Sequence, residues 1–235
     1  MKADDPKQYD SPEMNWQTLG AEDARKYFRD ALDNFIEPGI LEGKNVLDIG
    51  SGVGHTFGWL KAKGVALVTG IDPAKSNVRT SKENYPWARS EVATLGDFAK
   101  KDEQFDVALA ILVFEHIEDL NEAFRDVNKL LNGGGKFYLI ISDKDYSLSS
   151  DKKIRSESFV SVEIIRDLGN GTVETKTIRN LIDGKQSVMY DFFRPIELVR
   201  QPAEQIGFKL FAEKTLFAIE PDSVPMMYVM GFKKS

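Results

Sequence analysis

The chain has 235 residues, 42% of them hydrophobic, enough for one sizeable core in a single α/β domain. Its formal net charge of −6 argues against broad nucleic-acid binding, which leaves a basic footprint, and its lack of cysteine excludes disulfides, a thiolate nucleophile and a Cys-based zinc site. No run approaches the roughly 18 apolar residues of a membrane span, and the polar start M-K-A-D-D-P-K-Q-Y-D lacks the apolar stretch of a signal peptide. The expectation is a soluble cytoplasmic protein.

Residues 1–13 are polar, with Pro6 and Pro12, and read as a flexible arm. A helical pattern follows over 16–36 and stops at Pro38-Gly39. The bland role of this N-terminal part, residues 1–40, is packing on the domain's flank. Its functional role would be closure over a bound ligand, with Tyr9 and Trp16 as substrate covers.

The chain then alternates strand and helix. Strands are expected at 45–49, 66–71, 91–95, 105–112 and 136–141, with helices at 56–63, 74–84 and 120–131. Apolar runs bounded by turns suit buried parallel strands, so the pattern predicts a Rossmann-like, doubly wound, mostly parallel sheet with helices on both faces. Ligands in such sheets sit beyond the carboxyl ends of the strands, where Asp48, Asp72, Asp97 and the residues after Leu109 fall.

Residues 143–193 break the repeat. Alternation over 159–166 and 172–182 around Gly169-Asn170-Gly171 reads as an inserted β-hairpin lid, with a possible third strand near 187–193. A helix over 195–206 and an antiparallel pair, 208–219 and 226–232, close the domain.

The densest signal is N-V-L-D-I-G-S-G-V-G-H over 45–55. A dinucleotide fingerprint needs G-x-G-x-x-G, and the third glycine is missing in both registers, where His55 and Phe57 stand. The acid two residues before the first glycine is poor company for a pyrophosphate and good company for a cationic amine.

Five motifs in order give a resemblance. V-L-D-I-G-S-G-V-G at 46–54, G-I-D-P at 70–73, G-D-F at 96–98, the stretch from F-D-V at 105–107 to F-E-H at 114–116, and L-N-G-G-G at 131–135 resemble the class I S-adenosylmethionine-dependent methyltransferases. The likeness is strong over 45–141 and weak over the closing strands. It implies S-adenosylmethionine as cofactor, with S-adenosylhomocysteine as product. It implies a cofactor site built from Asp48, Gly50, Ser51, Gly52 and Gly54 on the methionine part. Asp72 and Pro73 would serve the ribose, Gly96, Asp97 and Phe98 the adenine, and the Ala110 backbone the amine. An ionised Asp72 has acceptors for both ribose hydroxyls, though an acid before Pro73 also suits a helix cap.

Glu115 and His116 stand where the fourth strand delivers residues to the acceptor, so they are the catalytic candidates; His116 equally suits a loop anchor. Ubiquinone-type O-methyltransferases and small-RNA ribose methyltransferases carry a metal-binding E-x-x-E-H whose end this pair matches. Its first acid would fall at Leu112, so no metal is expected. Y-D-F-F-R-P at 190–195 resembles the aromatic-R/H-P segment that precedes the penultimate helix in many small-molecule methyltransferases; an aromatic wall with an Arg makes Tyr190, Phe192 and Arg194 substrate-binding candidates, though Phe192 and Phe193 equally suit anchoring the hairpin and Arg194 a surface ion pair. The expected function is methyl transfer to a small molecule, with no membrane or nucleic-acid partner and the oligomeric state left open. A protein or RNA methyltransferase, or a cofactor-binding module without catalysis, are the alternatives.

Overall fold

The computed structural model describes residues 5–10, 22–149, 159–180, 186–217 and 225–235. Trp16 and the start of the expected first helix lie outside them; the described part is α1, Glu22–Asp33, preceded by a 3-10 turn at Pro6–Asp10.

Seven strands form one sheet in the order β3-β2-β1-β4-β5-β10-β9. They are β1 (Asn45–Ile49), β2 (Leu67–Asp72), β3 (Arg89–Val92), β4 (Phe105–Ile111), β5 (Leu131–Ser142), β9 (Phe208–Phe217) and β10 (Pro225–Lys234). The first five are parallel, and β10 runs antiparallel to both β5 and β9. The chain moves outward from β1 to β3, then returns to β4 on the other side. That reversal opens a crevice beyond the ends of β1 and β4.

Both faces of the central strands are buried, which is why they read as unbroken apolar runs. Val107 and Leu109 face one core with Leu32, Phe57 and Leu60, from α1 and α2 (Phe57–Ala62). Ala108 and Ala110 face the other, where Phe114, Phe124, Phe137, Phe208 and Phe232 pack around α5 (Leu120–Leu130) and α7 (Glu197–Gln205).

Three elements differ from expectation. The third strand ends at Val92, and Leu95–Phe98 is a short helix, α4, because the Thr94 hydroxyl caps it by accepting from Asp97 N at 3.2 Å. The glycines at 133–135 do not precede β5; they bulge within it. Pairing steps from Phe105–Leu131 to Val107–Lys136, so residues 132–135 loop out. A one-turn helix, α6 (Lys144–Leu148), follows β5, with Asp143 capping it through Tyr146 N at 2.8 Å.

The lid is a three-stranded antiparallel sheet, β6 (Phe159–Asp167), β7 (Val173–Asn180) and β8 (Gln186–Phe193), in that order. It is tied down by side chains. Arg166 bridges Glu174 within the lid and Glu118 on the core, each at 2.8 Å. Lys144 donates to Gly171 O at 2.5 Å, and Arg194 donates to Ile117 O at 2.7 Å.

Candidate active site

The turn after β1 is built from backbone that a side chain would disturb. Gly50, Gly52 and Gly54 hold φ of +65°, +55° and +85°, the left-handed region open to glycine. A Cβ on Gly50 would collide with Val113, and one on Gly54 would meet Tyr85 and Ser81 at 2.8 and 2.9 Å. On Gly52 it would meet nothing within 4 Å. Gly50 and Gly54 are therefore packed shut, and Gly52 looks onto open space. The residues present fit a bound S-adenosylmethionine on this ground: a cradle of backbone lies open at Gly52 and closed on either side.

Asp72 pins the turn. Its Oδ2 accepts from Gly52 N at 2.9 Å, and its Oδ1 accepts from Ala74 N at 2.9 Å and Asn77 Nδ2 at 3.1 Å. The helix-capping and loop-holding roles are thus both real, at the head of α3 (Lys75–Asn84). A carboxylate offers about four acceptor directions, so these three donors leave about one for a ribose hydroxyl. Burial pushes the Asp72 pKa up against the downward pull of these bonds. Pro73 is half-buried beside it.

Asp48 is buried and accepts from the Thr56 hydroxyl. Burial raises its pKa to about 7, with Asp72 adding to the rise and Thr56 opposing it. Ser51 is buried and its hydroxyl has no hydrogen-bond partner. Ala110 is fully buried in β4, between Ile49 and Leu139. Just beyond it, Leu112 holds φ +55° while its N donates to Ile140 O at 2.9 Å. A left-handed leucine costs about 1–2 kcal/mol, and nothing in the sequence marks it. It turns the chain so that Val113 meets Gly50.

Of the residues expected at the adenine, Phe98 is the one the packing speaks against. Phe98 is fully buried and packs on Phe105 at a ring separation of 6.2 Å, so it is core and not a stacking surface. The Asp97 carboxylate is exposed and bonded to Lys100 at 2.8 Å and Thr94 at 3.0 Å; the Lys100 contact holds its pKa down. A Cβ on Gly96 would meet Asp126 of α5 at 3.4 Å. The backbone that abuts Asp72 is Ala93, whose N donates to Asp72 O at 3.2 Å.

Among the residues expected at the acceptor, Glu115 is buried, with Oε1 accepting from Ser142 N at 2.6 Å and Oε2 without a partner; burial raises its pKa. His116 Nδ1 lies 3.1 Å from Asp191 Oδ1, a residue that sequence reasoning passed over. The Tyr9 ring meets the His116 ring edge-on at 5.1 Å, and Gln8 Oε1 accepts from Tyr190 N at 3.1 Å. The N-terminal segment therefore touches both lid and loop. Asp10 completes the span by accepting from Ser76 N and Oγ, at 3.2 and 3.0 Å, on the first turn of α3. Two lid expectations are corrected. Phe192 is buried beneath the guanidinium groups of Arg166 and Arg194, each 5.7 Å away, and anchors the lid. Arg194 is 5% exposed and holds the Ile117 carbonyl, with burial lowering its pKa to about 10. Among the described residues, no three His, Asp or Glu side chains converge on a metal position, and no helix is long and apolar enough to cross a membrane.

A family model described as a methyltransferase domain matches residues 21–181. The chain belongs to that methyltransferase-domain family. Its sheet and motifs are those of the class I, S-adenosylmethionine-dependent branch that the sequence resembled. The ubiquinone biosynthesis O-methyltransferase of Methylobacterium sp. (strain 4-46) is 33% identical over 121 residues, covering 48% of each chain. The mitochondrial counterpart in Dictyostelium discoideum is 28% identical over 120 residues, 45% of this chain and 37% of its own. The chain thus spans less than half the length of these relatives. An S-adenosylmethionine-dependent methyltransferase from Mesorhizobium loti shares the fold, with a TM-score of 0.67 at 19% identity, covering 92% of this chain and 100% of that one.

Proposed function

We propose that the whole chain, a single domain, transfers a methyl group from S-adenosylmethionine to a small-molecule acceptor beneath the β6–β8 lid, in the cytoplasm. The observation that carries this reading is the glycine turn, held by Asp72 and left open only at Gly52 among Gly50, Gly52, Gly54 and Gly70. Family membership supports it, and so does the likeness to O-methyltransferases of ubiquinone biosynthesis. The net charge of −6 favours a small acceptor over a nucleic acid.

The bound cofactor would supply a methyl group on a sulfonium, which leaves a neutral thioether when the carbon–sulfur bond breaks. The chain's own residues do the rest. Gly52 and its neighbours admit the methionine part against backbone. Asp48 offers buried negative charge to a cationic ligand. Asp72 offers its remaining acceptor direction to the ribose, and the adenine falls to the backbone at 93–95, next to Asp72. Alignment of the acceptor behind the methyl group supplies much of the rate, since oriented reactants can gain about 7–11 kcal/mol. The lid and the Tyr9 segment exclude water from that alignment. His116, with Glu115 beside it, takes the acceptor's proton.

Incubation with methyl-labelled S-adenosylmethionine and a metabolite extract tests the reading. It predicts a labelled small molecule and S-adenosylhomocysteine in equal amounts. Cofactor bound with no label transferred would instead support a binding module, and label on protein or RNA would move the acceptor class.

A further inference from the structure

Most of the Arg194 guanidinium is without a partner. The residue is 5% exposed, and among the described residues it makes one hydrogen bond, from Nη2 to Ile117 O at 2.7 Å. Nε is enclosed with no partner, and no carboxylate of those residues forms a salt bridge with the group. Glu115 and Glu118 act on it only from further away. A buried cation with no counter-ion is costly, and its place over the Phe192 ring offsets only part of that cost. The rigid fork of N–H donors on a guanidinium matches a carboxylate.

The same side chain lines a cavity of about 460 Å³ between the lid turn, the start of α5 and α7. That volume suits a small molecule. Gly52, Asp72, Glu115 and His116 are not among the residues that line it. Two acids are, and both are engaged. Glu118 pairs with Arg166 at 2.8 Å, and Asp119 caps α5 by accepting from Glu122 N at 3.1 Å. Arg194 is therefore the charged group of this wall that has no counterpart. The other polar groups are neutral, the amides of Asn121 and Asn170 among them. On α7, Leu198, Gln201, Pro202 and Gln205 line the cavity at the i, i+3, i+4, i+7 spacing of one helix face. Pro202 has no N–H, so the Leu198 carbonyl on that face lacks its helical donor. The wall thus offers a cation to a carboxylate, and amides and a carbonyl to hydroxyl groups.

We propose that this cavity is a second small-molecule site, which takes an organic carboxylate bearing hydroxyl groups, its carboxylate on Arg194 and its hydroxyls on the α7 face. The proposal stands apart from the methyl-transfer reading, because no residue of the glycine turn takes part. Nη2 stays on Ile117, so a ligand here sits against the lid, α5 and α7 together.

NMR of the arginine Nε–H groups of the full chain, titrated with gluconate, tests it, with the Arg194 signal identified by its loss in Arg194→Lys. That signal should move saturably, in the millimolar range. Sorbitol has the hydroxyls without the carboxylate and should bind more than about tenfold more weakly. Hexanoate has the carboxylate without the hydroxyls and should bind roughly 3- to 10-fold more weakly. By calorimetry, Arg194→Lys keeps the charge but loses the fork and should weaken gluconate more than about tenfold. Gln201→Ala, on the exposed rim, should weaken it roughly 3- to 10-fold, and it carries the test should Arg194→Lys not fold. Gly52→Ala should leave gluconate binding unchanged. No saturable gluconate binding, sorbitol as tight as gluconate, or full affinity in Gln201→Ala would overturn the site. Hexanoate as tight as gluconate would overturn the ligand class, and loss of gluconate binding in Gly52→Ala would overturn the separation from the donor crevice.

Discussion

The crevice has two sides built in opposite ways. On the donor side, Asp72 meets Ala74, Asn77 and Gly52, which lie 2, 5 and 20 residues away, and two of the three donors are backbone N–H groups. On the acceptor side, Gln8 meets Tyr190 across 182 residues and Arg194 meets Ile117 across 77, in each case through a side chain. A site made from backbone and near neighbours constrains residue type at fixed spacing. A site made from distant side chains constrains only that some pair of groups should meet. The first can bind one cofactor unchanged, while the second can be rebuilt for a new acceptor without touching the sheet.

Two glycine substitutions set the packed part of the donor side against its open part. Gly50→Ala places a Cβ against Val113 in a left-handed backbone and should cost about 2–5 kcal/mol, from strain plus overpacking. Gly52→Ala meets no neighbour, so thermal unfolding should register only the strain, about 1–2 kcal/mol. Its S-adenosylhomocysteine affinity should nonetheless fall more than about tenfold, the loss of roughly 1.4 kcal/mol. Equal destabilisation of the two variants would erase the distinction between packed and open glycine.

Asp48 gives a pH signature. Its pKa of about 7 in the fold lies above the ordinary carboxylate value because it is buried. The unfolded chain therefore loses this proton first as pH rises, binding fewer protons than the fold, and stability declines between about pH 4 and pH 7. The full cost above pH 7 is about 4 kcal/mol. Asp48→Asn should remove this slope and raise the melting temperature at pH 8, while weakening the cationic cofactor more than an uncharged analogue. A variant less stable than the parent at pH 8 would show that the buried charge is already compensated in the free protein.

The smallest effect belongs to the N-terminal segment. Asp10→Ala removes an exposed acceptor from Ser76 at the start of α3 and should cost about 0.5–1 kcal/mol of stability. Hydrogen exchange should rise at Tyr190, whose amide the same segment holds through Gln8. Unchanged exchange would show that the Asp10 and Gln8 contacts are independent.

The same contrast explains what could be read in advance. The unbroken apolar run of β4, buried on both faces, and the three alternating glycines are contiguous signals, and they carry the sheet, the turn and Asp72. At the G-D-F stretch a short helix needs little more than the Thr94 cap, and one helical turn sends Phe98 into the core and Asp97 to the surface. The bulge at 132–135 reads like an ordinary turn until its neighbour Phe105 is known. Asp191 was invisible for a different reason: it alternates between Tyr190 and Phe192 like any strand residue, and only the fold brings it within 3.1 Å of His116. Phe192 and Arg194 have the right chemistry for an acceptor wall, but the lid spends both on holding itself in place.

The central claim is that the open glycine turn and Asp72 together form a nucleoside site for a methyl donor. Calorimetric titration of the full chain and of Asp72→Ala with S-adenosylhomocysteine tests it most directly. Saturable one-to-one binding by the full chain, weakened roughly 10- to 100-fold in the variant by loss of charge-assisted hydrogen bonds, is the predicted result. No binding by the full chain, or equal binding by the two proteins, would contradict it.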